Sequence, residues 1–162
     1  MIDDAINEAT ETIEISLSNP TNGNLSVSEP IVHTVNITDN DPAPIVQFNT
    51  TTSTSTEDIA SPTIPVVLSS ISGIDVTVDY TVSGTMTGGG QDFTLVSGTL
   101  TIPAGDISAS IVPVIVDDSE PETSEDLVLT LSNPSITLGA RTIHTLTITD
   151  NDGDFGFDGP GG

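Results

Sequence analysis

The sequence predicts an all-β protein: a seven-stranded antiparallel sandwich preceded by a partial copy of the same unit. Three observations carry this. Runs of strand length, rich in Val, Ile, Leu and Thr, are separated by turn residues every ten or so positions. Polar and apolar residues alternate cleanly in two of these runs, and no stretch has a helical period. Finally, the C-terminal pattern of the chain occurs twice.

The complete copy is read over residues 45–152. Its strands are expected near 45–55, 63–69, 76–83, 98–102, 108–116, 126–132 and 142–149. Gly88-Gly89-Gly90 breaks the third from the fourth, and Pro103-Ala104-Gly105 turns the fourth into the fifth. The fifth is apolar on both faces, which leaves its inward set open. In the sixth, Leu127, Leu129 and Leu131 share a face; in the seventh, His144, Leu146 and Ile148 do. Seven short strands in roughly 100 residues is the count and size of an immunoglobulin-like sandwich.

The repeat locates the partial copy. Ile2-Asp3-Asp4 lies over Val116-Asp117-Asp118, and the match runs without a gap to Leu17-Ser18-Asn19-Pro20 over Leu131-Ser132-Asn133-Pro134. After a loop of different length, His33-Thr34-Val35-Asn36-Ile37-Thr38-Asp39-Asn40-Asp41 lies over His144-Thr145-Leu146-Thr147-Ile148-Thr149-Asp150-Asn151-Asp152. Residues 1–41 are therefore expected to be the C-terminal part of a preceding module. Residues 42–44, Pro-Ala-Pro, read as a short stiff linker and 153–162 as a Gly-rich tail. A lone two-strand hairpin is marginal in water. The expectation for 1–41 is thus a mobile hairpin, or one held against a second chain or the flank of the complete module.

Charge narrows the function. The chain has 24 acidic residues against one basic residue, Arg141, for a net charge of −23. Such acids cannot be paired by side chains, and their repulsion weakens the compact state unless cations neutralise it. Nucleic acid and anionic membranes are poor partners, because both need Lys and Arg to displace counterions. Without Cys there is no disulfide framework and no thiolate metal site. No apolar run is long enough to span a bilayer. The composition leans towards an extracellular or cell-surface protein, bacterial in character, with its targeting signal outside this chain.

If the strands alternate up and down, the acids gather at one pole. Glu57 and Asp58 fall in the first loop there and Asp92 in the next. Asp117, Asp118, Glu120, Glu122 and Glu125 fall in the third, and Asp150 and Asp152 follow the last strand. The opposite pole has only Asp75 and Asp106. Carboxylates so concentrated call for a hard divalent cation, and Ca2+, which accepts six to eight oxygens in loose geometry, fits best.

These residues resemble the Calx-beta family, modules of sodium–calcium exchangers and bacterial surface proteins. The marks are Val78-Asp79-Tyr80, Gly90-Gln91-Asp92-Phe93, Gly98-Thr99-Leu100-Thr101-Ile102-Pro103-Ala104-Gly105, Val116-Asp117-Asp118, Leu129-Thr130-Leu131-Ser132-Asn133 and Thr147-Ile148-Thr149-Asp150-Asn151-Asp152. The resemblance covers 45–152 and, separately, 1–41. It implies a seven-stranded sandwich with calcium among the loops of one pole. The ligands it implies are Glu57, Asp92, Asp117, Asp118, Glu122, Glu125, Asp150 and Asp152, with the carbonyl of Glu120. Asn151 stands where the best-known sensors carry Asp, and offers an uncharged amide oxygen. The partial upstream site would comprise Asp3, Asp4, Glu8, Glu11, Asp39, Asn40 and Asp41, with the carbonyl of Ile6.

The function expected is a calcium-binding structural or adhesive module of a repeat-containing extracellular protein, with calcium stiffening the joints. Its partners would be neighbouring copies of the module, and a cell-surface or matrix ligand. The alternative is a sandwich that recognises sugar or protein with calcium incidental or absent. An enzyme is not expected. A glycosidase-like carboxylate pair needs sugar-stacking aromatics, and the chain has one Tyr and no Trp. No Gly-x-Ser-x-Gly elbow is present. Gly88-Gly89-Gly90 lacks the Lys of a phosphate loop. His33 and His144 read as histidines at the rim of a core rather than as metal ligands, since neither module has a second His.

Overall fold

A computed structural model of the chain describes residues 3–25, 31–87 and 91–152. The triple glycine 88–90 and the tail 153–162 lie outside the described residues. The strands are β1 (Glu11–Ser16), β2 (Val32–Ile37), β3 (Ile45–Phe48), β4 (Thr52–Thr56), β5 (Ile64–Leu68), β6 (Val76–Gly84) and β7 (Phe93–Thr94). They continue with β8 (Gly98–Ile102), β9 (Ser108–Ile111), β10 (Val114–Ile115), β11 (Glu125–Ser132), β12 (Thr137–Leu138) and β13 (Ile143–Thr149). Two sheets dominate, one ordered β4-β13-β11-β6-β8 and one ordered β12-β3-β5-β9.

The sheets face each other across one aliphatic core. Val46, Phe48, Ile64, Val66, Leu68 and Ile111 on one side meet Val76, Val78, Ile102, Leu127, Leu129, Leu131, Leu146 and Ile148 on the other. This is where period-2 alternation leads: each strand buries every second side chain. Leu127, Leu129 and Leu131 are all inward, as are His144, Leu146 and Ile148. On the fifth expected strand the inward set is Ala109, Ile111, Pro113 and Ile115.

Two of the seven expected strands are each divided. The run 45–55 becomes β3 in one sheet and β4 in the other. The chain crosses between sheets at Asn49–Thr51, where the Asn49 amide donates to Pro65 O (2.9 Å) and the Thr145 amide to Thr51 O (2.9 Å). Consequently β4 runs parallel to β13, and the short β12 runs parallel to β3, so the sandwich is not antiparallel throughout. The run 108–116 is divided at Pro113, which has no amide hydrogen for the ladder. β9 pairs with β5, while β10 turns away to pair with β7.

His144 fastens the crossover. It is 1% exposed. Its Nδ1 lies 2.8 Å from Thr50 O and its Nε2 lies 2.8 Å from Ser53 Oγ. A carbonyl can only accept, so Nδ1 carries the proton and Nε2 accepts from the serine hydroxyl. The ring also packs against Phe48 at 5.4 Å between centroids.

β1 and β2 pair in the register of β11 and β13. Glu11 faces Ile37 as Glu125 faces Ile148, and Ile15 faces His33 as Leu129 faces His144. What differs is cover. Ile13, Ile15 and Leu17 are 49%, 52% and 62% exposed, whereas Leu127, Leu129 and Leu131 are at most 3% exposed. The hairpin meets residues 45–152 through its preceding loop. Asn7 forms a parallel bridge with Ser72, and the Gly73 amide donates to Asn7 O at 2.8 Å. A Cβ on Gly73 would sit 3.0 Å from Glu8 Cγ and 3.2 Å from Asn7 O. The upstream acids thus abut the pole of residues 45–152 that carries the fewest acids.

Candidate metal centre

Four segments deliver carboxylates to one pole. β4 ends at Thr56 and places Glu57 inward, 5% exposed, with its amide donating to Thr149 O (3.3 Å). β13 ends at Thr149 and is followed by Asp150, Asn151 and Asp152. β11 opens with Glu125, and Glu122 lies in the loop before it. Asp92 precedes β7, held by the Thr87 amide on its Oδ2 (2.5 Å) and by its carbonyl accepting from Val116 N (2.9 Å). Gly84, at the end of β6, lets that strand pass close against Asp126 of β11. Its φ is +135°, and a Cβ there would lie 2.0 Å from Asp126 O.

The carboxylates form two triads, Glu57/Asp150/Asp152 and Asp92/Glu122/Glu125, each with its ligand oxygens within 4.8 Å of one another. Glu57 and Asp150 of the first triad and all of the second border one hollow, which Met86, Ile115 and Ile148 also line. Asp150 organises the turn. Its Oδ1 accepts from the Asp152 amide (2.9 Å) and its Oδ2 from the Glu122 amide (3.1 Å). Glu57 Oε1 accepts from the Asn151 amide (3.2 Å).

These carboxylates are electrostatically frustrated. Burial, then the Asp150 carboxyl as hydrogen-bond partner and charge, pushes Glu57 up to about 7. Burial and the charge of Asp92 raise Glu125 and Glu122. Burial followed by the charges of Asp150, Asp117, Asp118 and Glu120 raises Asp152. Asp150 alone is lowered, by the Asp152 and Glu122 amides that donate to it. Asp152 Oδ2 is buried and has no hydrogen-bond partner among the described residues. Unpaired buried oxygen and crowded like charges are what a cation would relieve. The donors are all oxygen, with no His or Cys among them, which suits a hard ion.

Asp117, Asp118 and Glu120 line the exposed β10–β11 loop and belong to neither triad, although their charges act on Asp152. Asp118 Oδ1 accepts from the Glu120 amide (2.7 Å). Asn151 contributes its backbone amide to Glu57, and its side chain is exposed.

The upstream residues Asp3, Asp4, Glu8, Glu11, Asp39, Asn40 and Asp41 border one hollow of their own. Ile6 lies beside it, its amide donating to Asp4 Oδ1 (2.9 Å). Its wiring copies the downstream site: the Glu8 amide donates to Asp39 Oδ2 (2.9 Å) and the Asp41 amide to Asp39 Oδ1 (3.3 Å). These amides lower Asp39, Glu8's first, while the charge of Asp4 raises Glu8 and burial raises Asp41. Among the described residues these acids do not close into a triad. Sequence reasoning missed Asn7, whose Nδ2 reaches Asp39 Oδ2 (3.1 Å) and Asp41 O (3.3 Å). Pro121 holds the matching position downstream, so only a difference between the copies could have singled Asn7 out.

The Calx-beta domain family model matches residues 1–41 and 39–152. Among solved structures, the apo-form Calx CBD1 domain superposes with a TM-score of 0.61 at 24% identity, over 68% of this chain and 99% of that one. CBD12 from CALX1.2 gives 0.60 at 26% identity, and the calcium binding domain CBD12 of CALX1.1 gives 0.60 at 27%. Each of those two matches covers 66% of this chain and 44% of the other, so this chain spans less than half of their length. No curated protein sequence matches. With every residue from 1 to 152 inside a family match, and a β-sandwich carrying two carboxylate triads at one pole, the chain belongs to the Calx-beta domain family.

Proposed function

We propose that this chain is a calcium-binding structural module of a repeat-containing extracellular protein, in which the ion stiffens the pole where one module meets the next. The reading rests chiefly on the two carboxylate triads at one pole, together with the unpartnered Asp152 Oδ2. Glu57, Asp150 and Asp152 would hold one ion, and Asp92, Glu122 and Glu125 a second. Asp117, Asp118 and the Glu120 carbonyl would add oxygens from the loop, and Asn151 an uncharged one. Bound calcium would supply positive charge and nothing catalytic; the module acts by holding its neighbours. The Asn7–Gly73 joint supports the stiffening role, because the loop carrying Glu8 is hydrogen-bonded to the next module. Residues 1–41 fit the C-terminal part of a preceding module, 42–44 the joint and 45–152 a complete one.

Calorimetric titration with calcium tests the reading. Extracellular modules bind at roughly 10⁻⁴–10⁻³ M, so millimolar calcium should give saturable heat and raise the melting temperature. At a hundredfold excess over Kd the gain is about 2.7 kcal/mol. A chelator should reverse it. A metal-free protein whose melt ignores both calcium and chelator overturns the proposal.

A further inference from the structure

We propose that Met86 is an oxidation site: hydrogen peroxide converts its thioether to the sulfoxide in the folded protein, and the sulfoxide weakens cation binding by the carboxylates beside it. The chain has no Cys and two Met, so Met86 is the one sulfur after the first residue. It follows β6, belongs to the aliphatic core cluster and is 9% exposed. It also borders the hollow shared by Glu57, Asp92, Glu122, Glu125 and Asp150. A soft thioether is a poor ligand for a hard ion, so ligation does not account for its place there. A module joined beyond residue 152 need not cover this hollow. The upstream hollow, although its pole abuts the next module, is bordered by residues of 3–41 alone.

The hollow gives a small oxidant a route to the sulfur without unfolding. A sulfur lone pair takes one peroxide oxygen, the O–O bond breaks, and the second oxygen leaves as water with both protons. Sulfur is oxidised by two electrons and the peroxide is reduced by two. The product is polar where the thioether was apolar. Ile115 and Ile148, which line the same hollow, offer its oxygen no side-chain donor, and the neighbouring carboxylates repel it. The side chain must therefore shift, and the backbone carries that shift to a proposed ligand. The Met86 amide donates to Asp126 O (3.3 Å). The next residue, Thr87, clamps Asp92 from both sides: its amide donates to Asp92 Oδ2 (2.5 Å) and its carbonyl accepts from the Asp92 amide (3.1 Å). Conversely, an ion in the hollow shuts out the oxidant, so calcium should protect Met86. The coupling to calcium rests on the metal reading; the oxidation of Met86 does not.

The test is hydrogen peroxide treatment of the full chain, with chelator and with calcium. Peptide mass spectrometry reads the sulfoxide, calorimetry reads calcium affinity, and free methionine serves as the rate reference. In chelator, Met86 should oxidise in native buffer at a rate that stays flat in low urea. A rate that rises in step with the unfolded fraction means that only unfolding exposes the sulfur, and overturns the site. With calcium at about a hundred times Kd, oxidation should slow by up to about a hundredfold, because only the empty fraction is open. The oxidised protein should bind calcium roughly tenfold more weakly, the scale of losing a group that orients a ligand. Methionine sulfoxide reductase should restore the affinity. Met86→Leu, an apolar swap of similar volume, should have one affinity before and after peroxide. Met86→Gln, with a polar oxygen in place of the thioether, should bind as weakly as the oxidised protein. Unchanged affinity of the sulfoxide form, or a peroxide effect that persists in Met86→Leu, overturns the coupling, while calcium heat in the reduced protein leaves the metal reading standing. No calcium heat in the reduced protein sinks that reading, and the chelator arm still decides the oxidation site.

Discussion

Glu57 sets the pH response of the metal-free protein. The folded state raises it from an ordinary 4.5 to about 7, so the fold holds its proton more tightly than the unfolded chain does. The stability this group supplies is complete below about 4.5 and is lost as pH rises through about 7. At roughly 1.4 kcal/mol per unit, the loss is on the order of 3 kcal/mol. Asp150 acts in the opposite sense: its lowered value adds stability at neutral pH that disappears in acid. Glu57→Gln should therefore stabilise the chelated protein at pH 8 by about 3 kcal/mol and leave it unchanged at pH 4, read by urea melts. On the proposed site calcium would displace the Glu57 proton, so affinity in the unsubstituted protein should fall as pH drops below about 7, and Glu57→Gln should flatten that slope. At the same scale, Asp118→Ala and Asp152→Ala should weaken calcium binding without unfolding the sandwich, because neither belongs to the core cluster. Calorimetry beside circular dichroism separates the two effects.

Among the elements, β11 and β13 are the easiest to read from sequence, because alternate apolar residues decide both strand and inward face. The division of the first strand is not legible. After Phe48 the chain offers only Asn, Thr and Ser until Glu57, and a polar edge strand gives no periodic signal for which sheet it joins. The split shows in the strand pairing, with β3 on β5 and β4 on β13, and in where His144 sends its two ring nitrogens. The same limit applies to the centre: the acids and their shared pole follow from spacing and strand parity, whereas their sorting into triads depends on side-chain direction. Leu129→Ala should cost about 2–5 kcal/mol, since its side chain is fully buried in the aliphatic core. His144→Ala should cost roughly 1–3 kcal/mol by leaving Thr50 O and Ser53 Oγ without partners. Its hydrogen-exchange signature should be faster opening of β4 while β5 and β6 stay protected. In the hairpin, amides of β1 and β2 should exchange much faster than those of β11, because Ile13, Ile15 and Leu17 are exposed where Leu127, Leu129 and Leu131 are buried. Equal protection in a dilute monomer would contradict that.

For the whole molecule, the net charge of −23 and the joint at Gly73 are the governing features. Self-repulsion between like charges is screened by salt, so the chelated protein should melt higher in sodium chloride, and calcium should outperform an equal ionic strength of sodium. Gly73→Val should break the contact with Asn7 and Glu8 while sparing the core. Scattering should then show a longer, more variable particle, with the melting of β11 and β13 unchanged. A Gly73→Val protein with the parent's scattering profile would mean that the Pro-rich linker, not the hydrogen-bonded loop, sets the angle between the parts.

The parallel seam between β4 and β13 has a mechanical consequence. These strands lie near the two ends of residues 45–152, side by side and pointing the same way. Tension applied through a chain of modules would pull one strand back along the other, so the hydrogen bonds between Thr52–Thr56 and Thr145–Thr149 bear the load together in shear. Ends on neighbouring antiparallel strands would instead peel open one bond at a time. Forced rupture is governed by the unfolding rate rather than by equilibrium stability, so this edge strand is the module's tensile clasp. An ion bridging Glu57 to Asp150 and Asp152 would sit at the end of that clasp as its rivet.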